Sequence, residues 1–251
     1  MRILTKLFTA IVVSLLFSTN SFAQKNFLDE ANVAYTNKQY FNSIELYKKA
    51  YTKEKTKEGK AYIIFRTGEA YRMIGDVKQA EAWYTKAIKA GYGDPKAVLY
   101  LANAKKSQEK YNEALIEYNN YKKLAPDDPK GENGAKACEL AQKWKDKPTR
   151  YVVENLSLVN TKDPDFAPAY EDKKYTKLYF TSTRPGGQGT AIDEGTGELF
   201  SDIFETQVDK NGKWSTPIAL PEPVNSKYNE GAATLSRKGD ILIFTRCEVE
   251  K

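Results

Sequence analysis

Three stretches in the first half of the chain repeat one another, and no other feature limits the possible folds as much. NVAYTNKQYFNSIELYKKAY (32–51), EAYRMIGDVKQAEAWYTKAI (69–88) and NAKKSQEKYNEALIEYNNYK (103–122) align column by column. A small residue precedes each stretch: Ala31, Gly68 and Ala102. Further columns hold Tyr40, Val77 and Tyr111, then the small Ser43, Ala80 and Ala114, then Tyr47, Tyr84 and Tyr118. The last column holds Ala50 and Ala87 and is broken by Tyr121. The offset from Gly68 to Ala102 is 34 residues and from Ala31 to Gly68 is 37, which puts an insertion at Lys57-Glu58-Gly59 or a neighbour in the linking turn. Small residues allow two helices to cross closely, and a large ring one turn later fills the space beside the crossing. The pattern therefore predicts antiparallel helix pairs, with Pro95 and Pro126 as punctuation.

As a set, these columns resemble the tetratricopeptide repeat over about residues 24 to 128, and Pro126 falls at the family's turn proline. Gly131 to Lys145 reads as one more amphipathic helix, with Ala135, Cys138, Ala141 and Trp144 on one face. Such a helix would cap the apolar end of the stack. The resemblance implies partner binding on the inner, concave helices. The groove positions are then Asn32, Tyr35 and Thr36, Glu69, Arg72 and Met73, and Asn103, Lys106 and Ser107. The family's carboxylate clamp has a lysine one turn before its first asparagine, where this chain has Leu28. A mixed polar groove for a peptide or protein is the expectation. The alternative is that the repeats only hold the next domain at a distance.

Past a linker at 147–150 the texture changes from helical period to alternation, at Tyr151–Val153, Lys177–Thr181, Asp202–Thr206 and Asp240–Thr245. Asn211-Gly212 reads as a hairpin turn rather than as part of a calcium loop, which would need further acidic ligands. Two segments share one plan, DFAPAYEDKKYTKLYFTS (165–182) and NEGAATLSRKGDILIFTR (229–246). Together with Asp202-Ile203-Phe204, they look like the TolB-type, WD-like propeller repeat. The expected fold is multidomain: an all-α tetratricopeptide helical solenoid at 24–146, then an all-β, partial propeller at 151–251. A propeller takes at least about four blades, and this stretch supplies one and part of a second. The expectation is that the chain is the front part of a longer protein.

Against that plan, Pro185 to Phe200 is an enlarged loop between strands. Its Gly186-Gly187-Gln188 matches the hydrolytic tripeptide of release factors, which need a ribosome. A phosphate loop would need lysine and a hydroxyl after the last glycine, but Thr190-Ala191 follow Gly189. The glycines are read as supplying backbone freedom. Asp193, Glu194 and Glu198 on the same loop are read as solvated acids in preference to calcium ligands or paired catalytic acids.

Residues 1–23 have the plan of a cleaved signal peptide. Arg2 and Lys6 precede the apolar Leu7–Phe17, and Ser21 and Ala23 place small residues at −3 and −1 of a cleavage site before Gln24. The alternative is an uncleaved anchor. The formal charge of +6 falls to +4 without Arg2 and Lys6 and is spread evenly, so no nucleic-acid footprint is expected. There is no histidine, which excludes Ser-His-Asp and Cys-His pairs and histidine-bearing zinc sites. No catalytic residue, cofactor or metal is expected, and Cys138 and Cys247 are expected to stay separate thiols.

The sequence of a leader, a short helical stack and a propeller opening resembles the OmpA-family envelope proteins of bacteria with type IX (Por) secretion and gliding motility. That resemblance implies a non-enzymatic, exported scaffold in the periplasm, associated with the outer membrane and without a transmembrane span in the mature chain. Its implied partners are envelope proteins at the groove, and peptidoglycan only through a C-terminal domain absent from this sequence. Alternatives of other classes are a propeller-capped peptidase and a glycan-binding accessory of nutrient uptake.

Overall fold

The computed structural model describes residues 26–171 and 173–247, so the leader expected at 1–23 lies outside the described residues. Six helices form three antiparallel pairs: α1 (Phe27–Thr36) with α2 (Tyr40–Lys53), α3 (Lys57–Met73) with α4 (Val77–Lys89), and α5 (Lys96–Ser107) with α6 (Tyr111–Leu124). A seventh, α7 (Pro129–Asp146), packs mainly on α6. Each pair packs on the next, which makes a helical solenoid. Asn26, Thr56, Asp76 and Asp128 each cap a helix start by accepting a backbone N–H within the first turn. Within each pair the turn passes through one left-handed residue, Lys38 (φ 63), Gly75 (φ 80) and Glu109 (φ 59), so the period extends to the backbone.

Each repeat column has a packing role. Ala31, Ala102, Ser43, Ala80 and Ala114 are fully buried, and Gly68 is buried with them. A Cβ on Gly68 would stand 3.1 Å from the Tyr84 ring, which shows how closely α3 and α4 approach. Tyr47, Tyr84 and Tyr118 fill the space beside these crossings and are almost wholly buried. The insertion does not lie in the turn, because Lys57–Gly59 form the first turn of α3, capped by Thr56. Three residues separate α2 from α3, and the added length extends the helix.

Tyr121 breaks the small-residue column because its neighbour differs. It faces Gly131 of α7, where a Cβ would come within 3.1 Å of the Tyr121 ring, and its hydroxyl donates to Asp128 Oδ2 at 2.7 Å. One turn on, Gly134 lies over Tyr118 so tightly that a Cβ would sit 2.2 Å from the ring. The capping helix therefore carries its small residues where the stack presents its large ones.

The second half contains two antiparallel sheets, of order β1-β2-β3-β4 and β5-β6. The first comprises β1 (Asp165–Tyr170), β2 (Lys177–Ser182), β3 (Asp202–Gln207) and the short β4 (Ile218–Ala219); the second, β5 (Asn229–Leu235) and β6 (Leu242–Cys247). Strand β5 packs against β1, β2 and β3, over Tyr179, Ile203 and Ala233. The sheets are not closed into a ring among the described residues. Both repeat copies carry a bulge in their first strand, at Phe166/Ala169 and Gly231/Thr234. Each bulge holds an alanine at positive φ, Ala167 and Ala232. The Asn211-Gly212 turn is a hairpin: Val208 bridges Trp214, and Asp209 Oδ1 accepts from Asn211 N and Lys213 N.

Tyr151–Val153 is not a strand. These residues have no ladder and are 72%, 83% and 95% exposed. A β-branched run forms a strand only beside a partner edge, and no described strand pairs with this one.

Candidate functional site

The nine groove positions lie on α1, α3 and α5, the first helix of each pair, and they divide by role. Asn32, Glu69 and Asn103 each accept the hydroxyl of the buried tyrosine fifteen residues on. Tyr47 donates to Asn32 Oδ1 at 2.8 Å, Tyr84 to Glu69 Oε1 at 2.5 Å and Tyr118 to Asn103 Oδ1 at 2.6 Å. A buried hydroxyl without a partner would be costly, so these three are fasteners of the helix pairs before they are anything else. Burial raises all three tyrosine pKa values, to about 12 for Tyr47 and Tyr118. Each hydroxyl thus stays protonated and donating at neutral pH.

Tyr35 and Arg72 are half committed. The Tyr35 ring carries the Arg66 guanidinium 3.9 Å from its centroid, and Arg66 Nε donates to the Tyr47 hydroxyl at 3.0 Å. Arg72 grips Glu69 through Nε and Nη2 at 3.0 and 3.3 Å and lies over Tyr100 at 4.6 Å. Thr36, Met73 and Ser107 are exposed, and Lys106 is half-buried over the Tyr118 ring at 5.6 Å. The repeat columns did not reveal Arg66, Tyr100, Lys130 or Asn133. Arg66 and Tyr100 each fall three residues before a fastener, and that spacing was the available signal.

The enlarged loop has two structural functions. Its glycines wrap the buried Asp202 carboxylate: Gly189 N donates to Oδ2 at 3.0 Å, and a Cβ on Gly187 would stand 1.9 Å from that oxygen. Conformational freedom explains Gly186 at φ +102, but close approach explains Gly187. Burial raises the Asp202 pKa against the backbone donors. Farther out, Asp193 accepts from Gly195 N, Thr196 N and Asn229 Nδ2. Glu194 accepts from Gln39 Nε2 at 2.5 Å, while the Glu194 carbonyl receives Asn42 N at 3.5 Å. Gly197, at φ +81, lies against Phe41 with room for no Cβ. The loop tip thus clasps the turn between α1 and α2 through Glu194 and Gly197, while Asp193 is engaged within its own loop and with Asn229; neither acid is merely solvated.

We expect Gly197→Val to release this clasp. In a Cys247→Ser background, Gln39→Cys with Glu194→Cys should be joined by a short bismaleimide, and adding Gly197→Val should cut the yield at least about tenfold, a 1.4 kcal/mol shift in the docking equilibrium. Equal yields would show that the loop does not dock there.

Among the described residues, no group of three or more His, Cys, Asp or Glu could hold a metal ion, and no helix is long and apolar enough to cross a membrane. Cys138 is buried and Cys247 exposed, and both are free thiols.

No protein-family model matches the chain, and no curated protein is similar to it. Solved structures are similar over about half of the chain. The myosin chaperone UNC-45 from C. elegans in complex with an Hsp90 peptide is 22% identical, over 49% of this chain and 14% of that one, with a TM-score of 0.43. The chain therefore spans a small fraction of UNC-45. The Arabidopsis OM64 TPR domain is 23% identical over 46% of this chain and 93% of that one, TM-score 0.42. The Sgt2 TPR domain from Aspergillus fumigatus is 15% identical over 57% and 93%, TM-score 0.42. With scores this low, the fold rests on the helix pairing described above.

Proposed function

We propose that this chain is a non-enzymatic scaffold that binds a protein partner along the inner face of α1, α3 and α5. The observation that carries this reading is the division of labour on that face. One residue per repeat is used to lock the helix pair, and the next turn is left facing outward, with Thr36, Met73 and Ser107 exposed. A chain of 251 residues without histidine also lacks the side chain most used to move protons near neutral pH.

The finer reading follows the sequence resemblance. The protein is exported, works in the periplasm at the outer membrane, and serves type IX secretion or gliding machinery. It is tied to peptidoglycan only if a longer parent chain carries an OmpA domain. What supports this is the order of leader, helical stack and paired β repeats.

The test is affinity capture from envelope extracts with the whole mature chain. Met73→Glu combined with Ser107→Arg touches no internal bond and should cut partner recovery at least about tenfold, as expected of interface positions worth about 2 kcal/mol or more. Unchanged recovery would remove the groove from the function.

A further inference from the structure

We infer that the far end of this groove is a seat for one acidic side chain, so that the partner carries an aspartate or glutamate there. The inference rests on the groove reading and specifies its chemistry. Between α5, α6 and the first turns of α7 lies a cavity of about 250 Å3 lined by Leu99, Asn103, Lys106, Tyr118, Lys130 and Asn133. That is below the roughly 300–1,000 Å3 usual for small-molecule pockets, so a single side chain fits it better than a free ligand.

The lining has donors to spare and no carboxylate. Tyr118 donates its hydroxyl to Asn103 Oδ1, which occupies the acceptor end of that amide and leaves its NH2 without a bonded partner among the described residues. Lys106 has no carboxylate within salt-bridge distance among the described residues; its ammonium lies over the Tyr118 ring at 5.6 Å and near the Cys138 thiol. Its sequence neighbour Lys105 turns the other way and is paired with Glu113 and Glu117 at 3.4 and 3.0 Å. Lys130 touches Asp128 at 3.1 Å, but Asp128 is outside the lining and also holds the Tyr121 hydroxyl and Lys130 N. The other acid of the groove, Glu69, is occupied by Tyr84 and Arg72. A carboxylate entering from the groove would meet an amide NH2 and two ammonium groups, with Leu99 and Tyr118 beside its methylene stem. Charge-assisted bonds of this kind are the stronger class.

The whole mature chain would be titrated with an acetylated, amidated peptide of alternating aspartate and leucine, and with its asparagine counterpart, following backbone amide shifts and fluorescence anisotropy. Shifts should centre on Leu99, Asn103, Lys106 and Lys130, with the acidic peptide at least about tenfold tighter. Lys106→Gln should weaken it about tenfold. Asn103→Asp keeps the oxygen that Tyr118 needs but turns the donor into an acceptor, and should weaken it at least as much while the thermal melt stays near wild type.

Equal binding of both peptides, shifts elsewhere, or binding only to a peptide with a free C-terminal carboxylate would each overturn the seat. If the seat fails while Met73→Glu with Ser107→Arg still abolishes partner capture, the groove reading stands and only its acidic specificity falls.

Discussion

Gly134→Val should be the most damaging single substitution in the helical half. The new Cβ would occupy space within 2.2 Å of the Tyr118 ring, and Tyr118 is 1% exposed with its hydroxyl bound to Asn103. The ring cannot swing aside without breaking that bond and opening the α5–α6 crossing. Overpacking of this kind costs about 3 kcal/mol, against a gain of under about 1 kcal/mol from replacing a mid-helix glycine. The helical half should melt roughly 10 °C lower. Cys138, buried on the same helix, supplies a local readout. In a Cys247→Ser background its reaction with a thiol reagent should speed up as α7 lifts. Adding Tyr118→Leu should recover part of the loss, since the two residues share one space. An unchanged melt and a still-protected Cys138 would mean that α7 does not pack as described.

Arg184→Ala should do comparable harm to the β half and leave the helices folded. Arg184 and Asp165 form an ion pair at 2.5 Å, each side chain 9% exposed. The guanidinium also donates to Ser182 Oγ and the Val159 carbonyl and lies over Phe180 and Phe204. Removing it would leave a buried carboxylate unpaired, at a cost of about 3–5 kcal/mol. Asp165→Asn in the same chain should restore part of this.

The pair also fixes a pH dependence. Burial opposes ionisation of Asp165, but bonds from Ser182, Arg184 and Thr161 outweigh it and hold its pKa below the ordinary value. A carboxyl depressed in the fold stabilises it above the unfolded pKa of about 3.9, and that contribution is lost as pH falls through the folded value. The β half should therefore lose stability below about pH 4, and Asp165→Asn should flatten that limb. A limb of the same slope in Asp165→Asn would assign the acid sensitivity to other carboxylates.

The helical half was legible because its contacts recur at one spacing. Ala31, Gly68 and Ala102 announce three crossings by their spacing alone, and Tyr47, Tyr84 and Tyr118 announce what fills them. The fasteners were legible as positions but not in their role: Asn32, Glu69 and Asn103 were read as groove residues, although each stands fifteen residues before the tyrosine it binds. Tyr121 looked like a flaw because its complement, Gly131, belongs to a helix outside the repeat. The β half gave up its repeat but not its packing. Nothing local says that Gly187 exists for a carboxylate fifteen residues away, or that Glu194 reaches Gln39. Tyr151–Val153 misled for the converse reason, having the composition of a strand and no neighbour to pair with.

The clasp on the turn between α1 and α2 changes how the solenoid behaves mechanically. Stacked helix pairs touch only their neighbours, so a free stack can stretch and twist like a spring. Here the β half is joined to one end through the backbone after α7 and rests on the other end through Glu194 and Gly197. A spring braced at both ends holds its curvature, so the width of the inner face is set before a partner arrives and less ordering remains to be done on binding.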